Sequence, residues 1–393
     1  MGRLAVGLAL AGLVCSTVAV VGGLLAILPF TPGRLAYYAL VSAGSTPRLA
    51  VAAGLGCVLA VPATLGFTPP RRVTFVALLT GAFGVVLNSA VVWATLSAVR
   101  SRNLSVSLRG SLLGATCRSP LAPERVTFSS AGGWPLAADL YRPSGARAAG
   151  KRLPSVIVVH GGAWQSGDKG ENPASNQWLV ARGYLVLDIQ YRLAPAADWR
   201  GAVEDIRRAA AWLRGHAAET GADPDQIAFL GRSAGGHLAL LAAYATEAAG
   251  GPEQAQPWCV IALYAPADLR RLHAEACRTQ AHDIREGISA VIGSPPSAGI
   301  EAYRLASPLE RVHPKAPPTL LIHGDWDTVV QAEHSRRLAR ALRGVGVRVQ
   351  LVCVPFARHA FDLVPDGLGT QVAREAVAAF LASESLKAPS GSL

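Results

Sequence analysis

The first acidic residue of the chain is Glu124, and no other feature constrains its fold as strongly. Nine Arg precede it, at positions 3, 34, 48, 71, 72, 100, 102, 109 and 118, with no Lys, Asp or Glu among them. Of a net charge of +11, nine units therefore belong to the first 123 residues and two to the remaining 270. These Arg punctuate apolar runs, which argues against a nucleic-acid surface, where basic side chains gather on a polar, folded face. With 51% hydrophobic residues and a mean hydropathy of +0.30, the chain reads as two parts with different solvents, and disorder of its bulk is excluded.

The charge-free runs are 4–33, 35–47, 49–70 and 73–99. A helix needs about 20 apolar residues to cross the hydrocarbon core, so the first, third and fourth qualify. Three transmembrane helices are expected near 4–28, 49–67 and 73–99, which makes residues 1–100 a multi-pass anchor in a lipid bilayer. A signal peptide is the weaker reading of the first run, because a secretory apolar region is only about 7–15 residues and two further spans follow. Arg3, Arg71 and Arg72 fall on one side of such a bundle, and Arg34, Arg48, Arg100, Arg102 and Arg109 on the other. Counting Arg places the C-terminal part in the cytoplasm, although the compact Pro69-Pro70-Arg71-Arg72 turn argues the opposite way. The spans hold no ionisable residue, so an anchor is expected rather than a transport path. Of six Cys, only Cys117 and Cys277 look free to pair, and no CxxC occurs.

Residues 101–123 read as a juxtamembrane linker, and after it the pattern changes. Arg125–Ser130 and Leu136–Tyr141 read as an antiparallel pair. Apolar runs follow at 155–160, 184–190, 227–230, 258–264, 319–323 and 347–354, of the kind that forms parallel strands buried on both faces. Helical patterns lie between them at 174–182, 199–219, 234–249, 331–343 and 370–385. The alternation predicts an α/β fold with a mostly parallel sheet, preceded by the all-α membrane region. Residues 124–386 suffice for one large domain. A polar, Pro-interrupted insertion at 266–311 is either a cap over a site or a surface excursion. The last residues, 387–393, are expected to be a disordered tail.

Gly231-Arg232-Ser233-Ala234-Gly235 follows a predicted strand and opens a predicted helix. G-x-S-x-G alone is weak, but strand, sharp turn and helix would force Ser233 into a strained, exposed conformation with the Ala234 amide aimed at an oxyanion. His160-Gly161-Gly162-Ala163-Trp164 ends an earlier strand, where glycines let backbone amides approach a developing negative charge. A Ser hydroxyl needs a base, and the base an orienting acid. In the order Ser, acid, His, the candidates are Asp327, with Asp325 as the rival, and His359, both placed after strands. The other histidines have plainer readings: His237 packs, His216 and His334 lie on solvated helix faces, and His323 shapes its loop. No HExxH, zinc-spaced Cys or His, GxxxxGK[ST] or strand-linked GxGxxG occurs, so hydrolysis without metal or cofactor is expected.

With these motifs in place, residues 124–386 resemble an α/β-hydrolase of the carboxylesterase type, close to the hormone-sensitive-lipase-like and feruloyl-esterase-like groups. The matching stretches are Asp139-Leu-Tyr-Arg-Pro143, His160 through Lys169, Tyr191-Arg-Leu-Ala-Pro195, Asp223 through Ile227, Gly231 through Gly236, His323-Gly-Asp-Trp-Asp327 and Arg358-His-Ala-Phe361. The resemblance implies an eight-stranded sheet, Ser233 as nucleophile, His359 as general base and acid, Asp327 as orienting acid, and the amides of Gly162, Ala163 and Ala234 as oxyanion hole. Two positions depart from the pattern: Ala163 replaces a third Gly, and Arg232 stands where an acidic residue is common. Isoprenylcysteine methylesterases share the HGGAW motif and N-terminal spans, and kynurenine formamidases and acetylxylan esterases resemble the chain comparably. The expected activity is a membrane-anchored serine esterase acting on a small-molecule or lipid ester. The alternatives are a peptidase or formamidase-like amidase on the same residues, and a non-catalytic scaffold with a hydrolase fold.

Overall fold

A computed structural model of the chain describes residues 2–27, 41–61, 71–101, 104–114, 121–131, 133–144, 152–244, 256–279 and 282–385. They form two compact units. The first comprises Met1–Thr116 together with two short stretches from much later in the chain, Gly324–Thr328 and Val354–Ala376. The second comprises Cys117–His323, Val329–Cys353 and Val377–Leu393.

The first unit is built on α1 (Gly2–Ile27), α2 (Thr46–Ala60) and α3 (Arg71–Arg100). Small residues let the three backbones approach closely, as in helices packed without a hydrophobic driving force between them. A Cβ at Gly12 would lie 2.6 Å from the Gly56 carbonyl, and one at Gly81 would lie 2.4 Å from Cys57 Sγ. Asn88, the one amide in these runs, is buried and donates to the carbonyls of Ala19 (3.1 Å) and Gly84 (2.9 Å). By length and composition Val6–Ile27 and Arg72–Arg100 are long and apolar enough to cross a membrane. The helix expected near 49–67 starts earlier and runs 15 residues as described, short of about 20, and residues 62–70 lie outside the described ones. Within the expected linker, a short helix α4 (Leu108–Leu113) forms because the Ser107 hydroxyl caps it, accepting from the Gly110 amide at 2.9 Å.

The second unit is an eight-stranded sheet of β1 (Glu124–Ala131), β2 (Trp134–Tyr141), β3 (Leu153–Val159), β4 (Leu185–Ile189), β5 (Ala222–Arg232), β6 (Cys259–Leu263), β7 (Thr319–Gly324) and β8 (Val349–Val354). Their order is β1-β2-β4-β3-β5-β6-β7-β8. β1 and β2 pair antiparallel, as do β2 and β4, while the pairs from β4–β3 through β6–β7 are parallel. All five residues of β4 and of β6 are buried, whereas β1 is largely exposed at the edge. The Val, Ile and Leu runs thus become central strands covered on both faces.

The helices of this unit are α5 (Pro173–Val180), α6 (Trp199–Gly215), α7 (Ala217–Thr220), α8 (Ala234–Ala243), α9 (Leu269–Thr279), α10 (His282–Ile292), α11 (Pro296–Leu305) and α12 (Glu333–Gly344). A last helix, α13 (Leu368–Ser385), begins in the first unit and ends in the second. The helix expected over 199–219 breaks at His216. Asp198 caps α6 by accepting from the Gly201 amide at 2.9 Å, and the fully buried Asp205 is neutralised by Arg192, whose Nε and Nη2 approach it at 2.8 and 2.7 Å. The insertion at 266–311 is helical, formed by α9, α10 and α11. His334 is a correction to the sequence reading: it is buried rather than solvated, because Nε2 donates to Glu275 Oε2 (3.2 Å) and Nδ1 accepts from the amides of Ala267 and Asp268. The expected tail 387–393 and Cys117 lie outside the described residues, as does the Cys277 side chain; Cys15, Cys57, Cys259 and Cys353 form no disulfide among the described residues.

Phe229 on β5 is fully buried in the central core. Phe229→Ala is expected to lower unfolding free energy by about 3–5 kcal/mol, against about 1–1.5 kcal/mol for Val126→Ala on the edge strand. Denaturant titration of the full chain in detergent checks this; equal losses would contradict the core placement.

Candidate active site

β5 ends at Arg232 and α8 begins at Ala234, which leaves one residue to turn the chain. That residue, Ser233, takes φ 50° and ψ −119°, a left-handed conformation that costs a non-glycine residue about 1–3 kcal/mol. Gly231 and Gly235, two residues to either side, hold it there by having no side chains. A Cβ at Gly235 would lie 2.1 Å from the His160 carbonyl oxygen and 2.3 Å from that of Val159, and one at Gly231 would lie 2.3 Å from the Gly235 carbonyl. The Ser233 amide donates to Leu263 O (3.0 Å), and its carbonyl accepts from the His237 amide (3.0 Å). Its hydroxyl does not cap α8, and the amide of Ala234 sits at the positive end of a ten-residue helix.

The loop after β3 carries Gly162 at φ 107°, Ala163 at 48° and Trp164 at 64°. Three successive left-handed residues reverse the chain tightly, and Gly162 O accepts from the amides of Gln165 (3.1 Å) and Ser166 (2.9 Å). Ala163 and Trp164 lack glycine's freedom, so the loop must be held from outside. Trp164 Nε1 donates to His237 Nδ1 at 3.1 Å, and His237 Nε2 donates to Ala306 O at 2.7 Å. An indole N–H can only donate, which fixes the tautomer of His237. Burial pushes this imidazole down to about 4, so it is neutral at physiological pH. Tyr191 stacks on the His160 ring at 4.4 Å and donates to the carbonyls of His160 and Gly161, both at 3.3 Å. From the insertion, Gly287 of α10 lies against the loop; a Cβ there would be 2.5 Å from Ala163 O. Sequence reasoning missed these three supports. The only signal for His237 was its place one helical turn after Ser233.

Arg232 is buried, and its Nη2 donates to Ser175 Oγ at 2.8 Å. It belongs to a buried polar cluster in which Asp188 accepts from the Gly170 amide (2.8 Å) and Asn176 Nδ2 (2.7 Å), with Lys169 Nζ 3.5 Å from Asp139. Burial pushes the Asp188 carboxyl up to about 6, against those two hydrogen bonds and the attraction of Arg232. The departure at position 232 thus places a cation beside a carboxylate that needs one.

In the first unit, Asp327 and His359 are brought together. His359 Nδ1 lies 2.7 Å from Asp327 Oδ2, and the Asp327 carboxylate is buried. The imidazole donates from Nδ1, which leaves Nε2 as the basic nitrogen. Gly324 allows the two loops to meet, since a Cβ there would lie 2.3 Å from Ala357 O, and the Trp326 amide donates to the same carbonyl at 3.0 Å. Among the described residues no group of three or more His, Cys, Asp or Glu is arranged to hold a metal ion.

Residues 138–342 match the BD-FAE family model. Among curated proteins of Mycobacterium tuberculosis, the chain is 34% identical over 218 residues to "Probable carboxylic ester hydrolase LipM", covering 54% of this chain and 50% of that protein. It is 35% identical over 241 residues to "Esterase LipC", covering 59% and 58% respectively. The chain thus matches little more than half the length of these relatives. Among solved structures, the propionate-bound Est2 esterase of Thermogutta terrifontis aligns with a TM-score of 0.57 at 26% identity, over 70% of this chain and 98% of that one. Its butyrate-bound form aligns with the same TM-score at 25% identity, over 70% and 98%.

The two buried titrating groups pull stability in opposite directions. Asp188 binds its proton more tightly folded than unfolded, where its pKa is about 4, so it makes stability fall as pH rises from about 4 to about 6. His237 binds its proton less tightly folded than unfolded, where its pKa is about 6.5, so it makes stability rise from about pH 4 to about 6.5. Thermal midpoints across this window are therefore expected to climb more steeply with pH in Asp188→Asn than in the wild type, and less steeply in His237→Gln. Slopes that change in the same direction would contradict these assignments.

Proposed function

We propose that this chain, which belongs to the BD-FAE family, is a membrane-anchored serine hydrolase that cleaves carboxylic esters through an acyl-enzyme. The observation that carries the reading is the strained turn at Ser233, wedged by Gly235 against the end of β3, where the His160–Trp164 loop begins. Strain of this kind persists only where surrounding contacts over-determine it, and it aims a side chain away from the sheet.

In this reading the Ser233 hydroxyl attacks the ester carbonyl while His359 Nε2 takes its proton. Asp327, hydrogen-bonded to Nδ1, orients the ring and stabilises the imidazolium. The amides of Gly162, Ala163 and Ala234 receive the oxyanion, and His359 returns the proton to the leaving alkoxide, which departs as an alcohol. Water activated by His359 then releases the acid and restores Ser233. The esterase relatives from Mycobacterium tuberculosis and Thermogutta terrifontis support an ester as substrate.

The membrane part of the proposal rests on the length of α1 and α3 and on what they leave outside. Val14, Val18, Phe75, Val86 and Trp93 are exposed, with Trp93 at 70%. Apolar side chains along the outer faces of helices of 26 and 30 residues suit contact with lipid acyl chains.

Ser233→Ala and His359→Ala are each expected to lower kcat on p-nitrophenyl butyrate by at least about 1,000-fold, with the purified full chain in detergent. Turnover within about tenfold of the wild type in Ser233→Ala would overturn the mechanism.

A further inference from the structure

The loop that carries His359 is bound directly to the N-terminal helices, inside the first unit. Arg358 Nη2 donates to the carbonyl oxygen of Leu25 at 2.8 Å, across 333 residues of sequence. Leu25 is one of the last four residues of α1, whose carbonyls have no partner within the helix and carry the negative end of its dipole. Arg358 is only 4% exposed. Burial pulls its guanidinium below the usual range while the charge of Asp327 draws it up, so a desolvated cation sits at the helix end within the field of Asp327.

Two further attachments hold the same segment. Gly44 faces Val364 so closely that a Cβ would lie 2.7 Å from its Cγ1, and the Gly367 Cβ position is 3.2 Å from Gly44 O. Beyond α3, Ser107 and Gln371 exchange hydrogen bonds: the Ser107 amide donates to Gln371 Oε1 (2.6 Å), and Gln371 Nε2 donates to Ser107 O (3.2 Å). Ser111 Oγ donates to Asp366 O at 2.7 Å, and Gln371 Nε2 donates to that carbonyl at 2.9 Å. Residues 358–371 are thus tied to the end of α1, to the short helical stretch 41–44 before α2 and to the segment after α3.

We infer that Arg358 is a positioning residue, which sets the His359 loop on the end of α1 and makes the N-terminal helices part of the catalytic apparatus as well as its anchor. The inference rests on the reading of His359 as general base. A tether requires only covalent continuity through residues 101–123 and leaves the base loop untouched. Here the base has a charged neighbour capping a helix from the opposite end of the chain, and a shift of about 1 Å at a reacting group can cost about 100-fold in rate.

The test uses the full chain in detergent and in phosphatidylcholine vesicles, with kcat normalised to sites titrated by a fluorophosphonate. Arg358→Met keeps the bulk and loses the donor; it is expected to lower kcat on p-nitrophenyl butyrate about 10-fold to 100-fold with KM within about twofold. Arg358→Lys, which restores a cation and a donor, is expected to recover most of that loss. Gln371→Ala, which removes the bonds to Ser107 and Asp366, is expected to lower kcat at constant KM too, and it carries the test should Arg358→Met fail to fold. A purely structural contact would reduce the number of titrated sites and leave kcat per site unchanged. Wild-type kcat per site in Arg358→Met, or in Gln371→Ala where Arg358→Met does not fold, with Ser233→Ala inactive, would overturn the inference alone. Activity that survives Ser233→Ala would overturn the hydrolase reading and the inference with it.

Discussion

The contact on which the site depends is the one between Gly235 and the end of β3. With Cβ positions 2.1 and 2.3 Å from two carbonyl oxygens, no side chain can stand there without moving a central strand. Interiors this close-packed transmit such a shift rather than absorb it. The contact does two things at once. It forces the turn at Ser233 into its left-handed conformation, and it brings that turn against His160, where the glycine loop begins. Ser233 and the start of the glycine loop are therefore registered against each other by backbone packing, independently of any side-chain hydrogen bond.

A second layer fixes what glycine leaves loose. Ala163 and Trp164 at positive φ are costly, and the cost is offset by a chain of buried bonds from Trp164 through His237 to Ala306, with Tyr191 stacked on His160 from the other side. A neutral imidazole suits this task because it both accepts and donates, and burial keeps it neutral. Arg232 and Asp188 play a related part on the other flank, where a buried carboxylate is made tolerable by two hydrogen bonds and a nearby guanidinium.

Much of this was legible in the sequence because the chemistry demands residue types at fixed spacings. The strands read correctly since a parallel sheet covered on both faces leaves continuous Val, Ile and Leu runs, and the turn at Ser233 read correctly because only small neighbours permit it. What escaped was decided by partners distant in sequence. His334 looks like a solvated helix residue until Glu275, on a helix of the insertion, supplies its acceptor. The insertion shows no strand pattern because it is helical, and its contact through Gly287 with Ala163 has no local signal. The bond from Arg358 to Leu25 spans almost the whole chain, and no local pattern could announce it. The partition of charge at Glu124 separates the apolar helices from the sheet along the sequence, yet the structure groups 324–328 and 354–376 with the helices that precede that boundary.

The central claim is that Ser233 becomes covalently acylated. Treating the full chain with a fluorophosphonate, digesting it and locating the adduct by mass spectrometry tests this most directly, because such reagents react with a hydroxyl activated by a neighbouring base. The account predicts a single adduct on Ser233, formed in step with loss of esterase activity and absent after unfolding. Loss of activity with the adduct on another residue, or full activity with Ser233 fully modified, would contradict it.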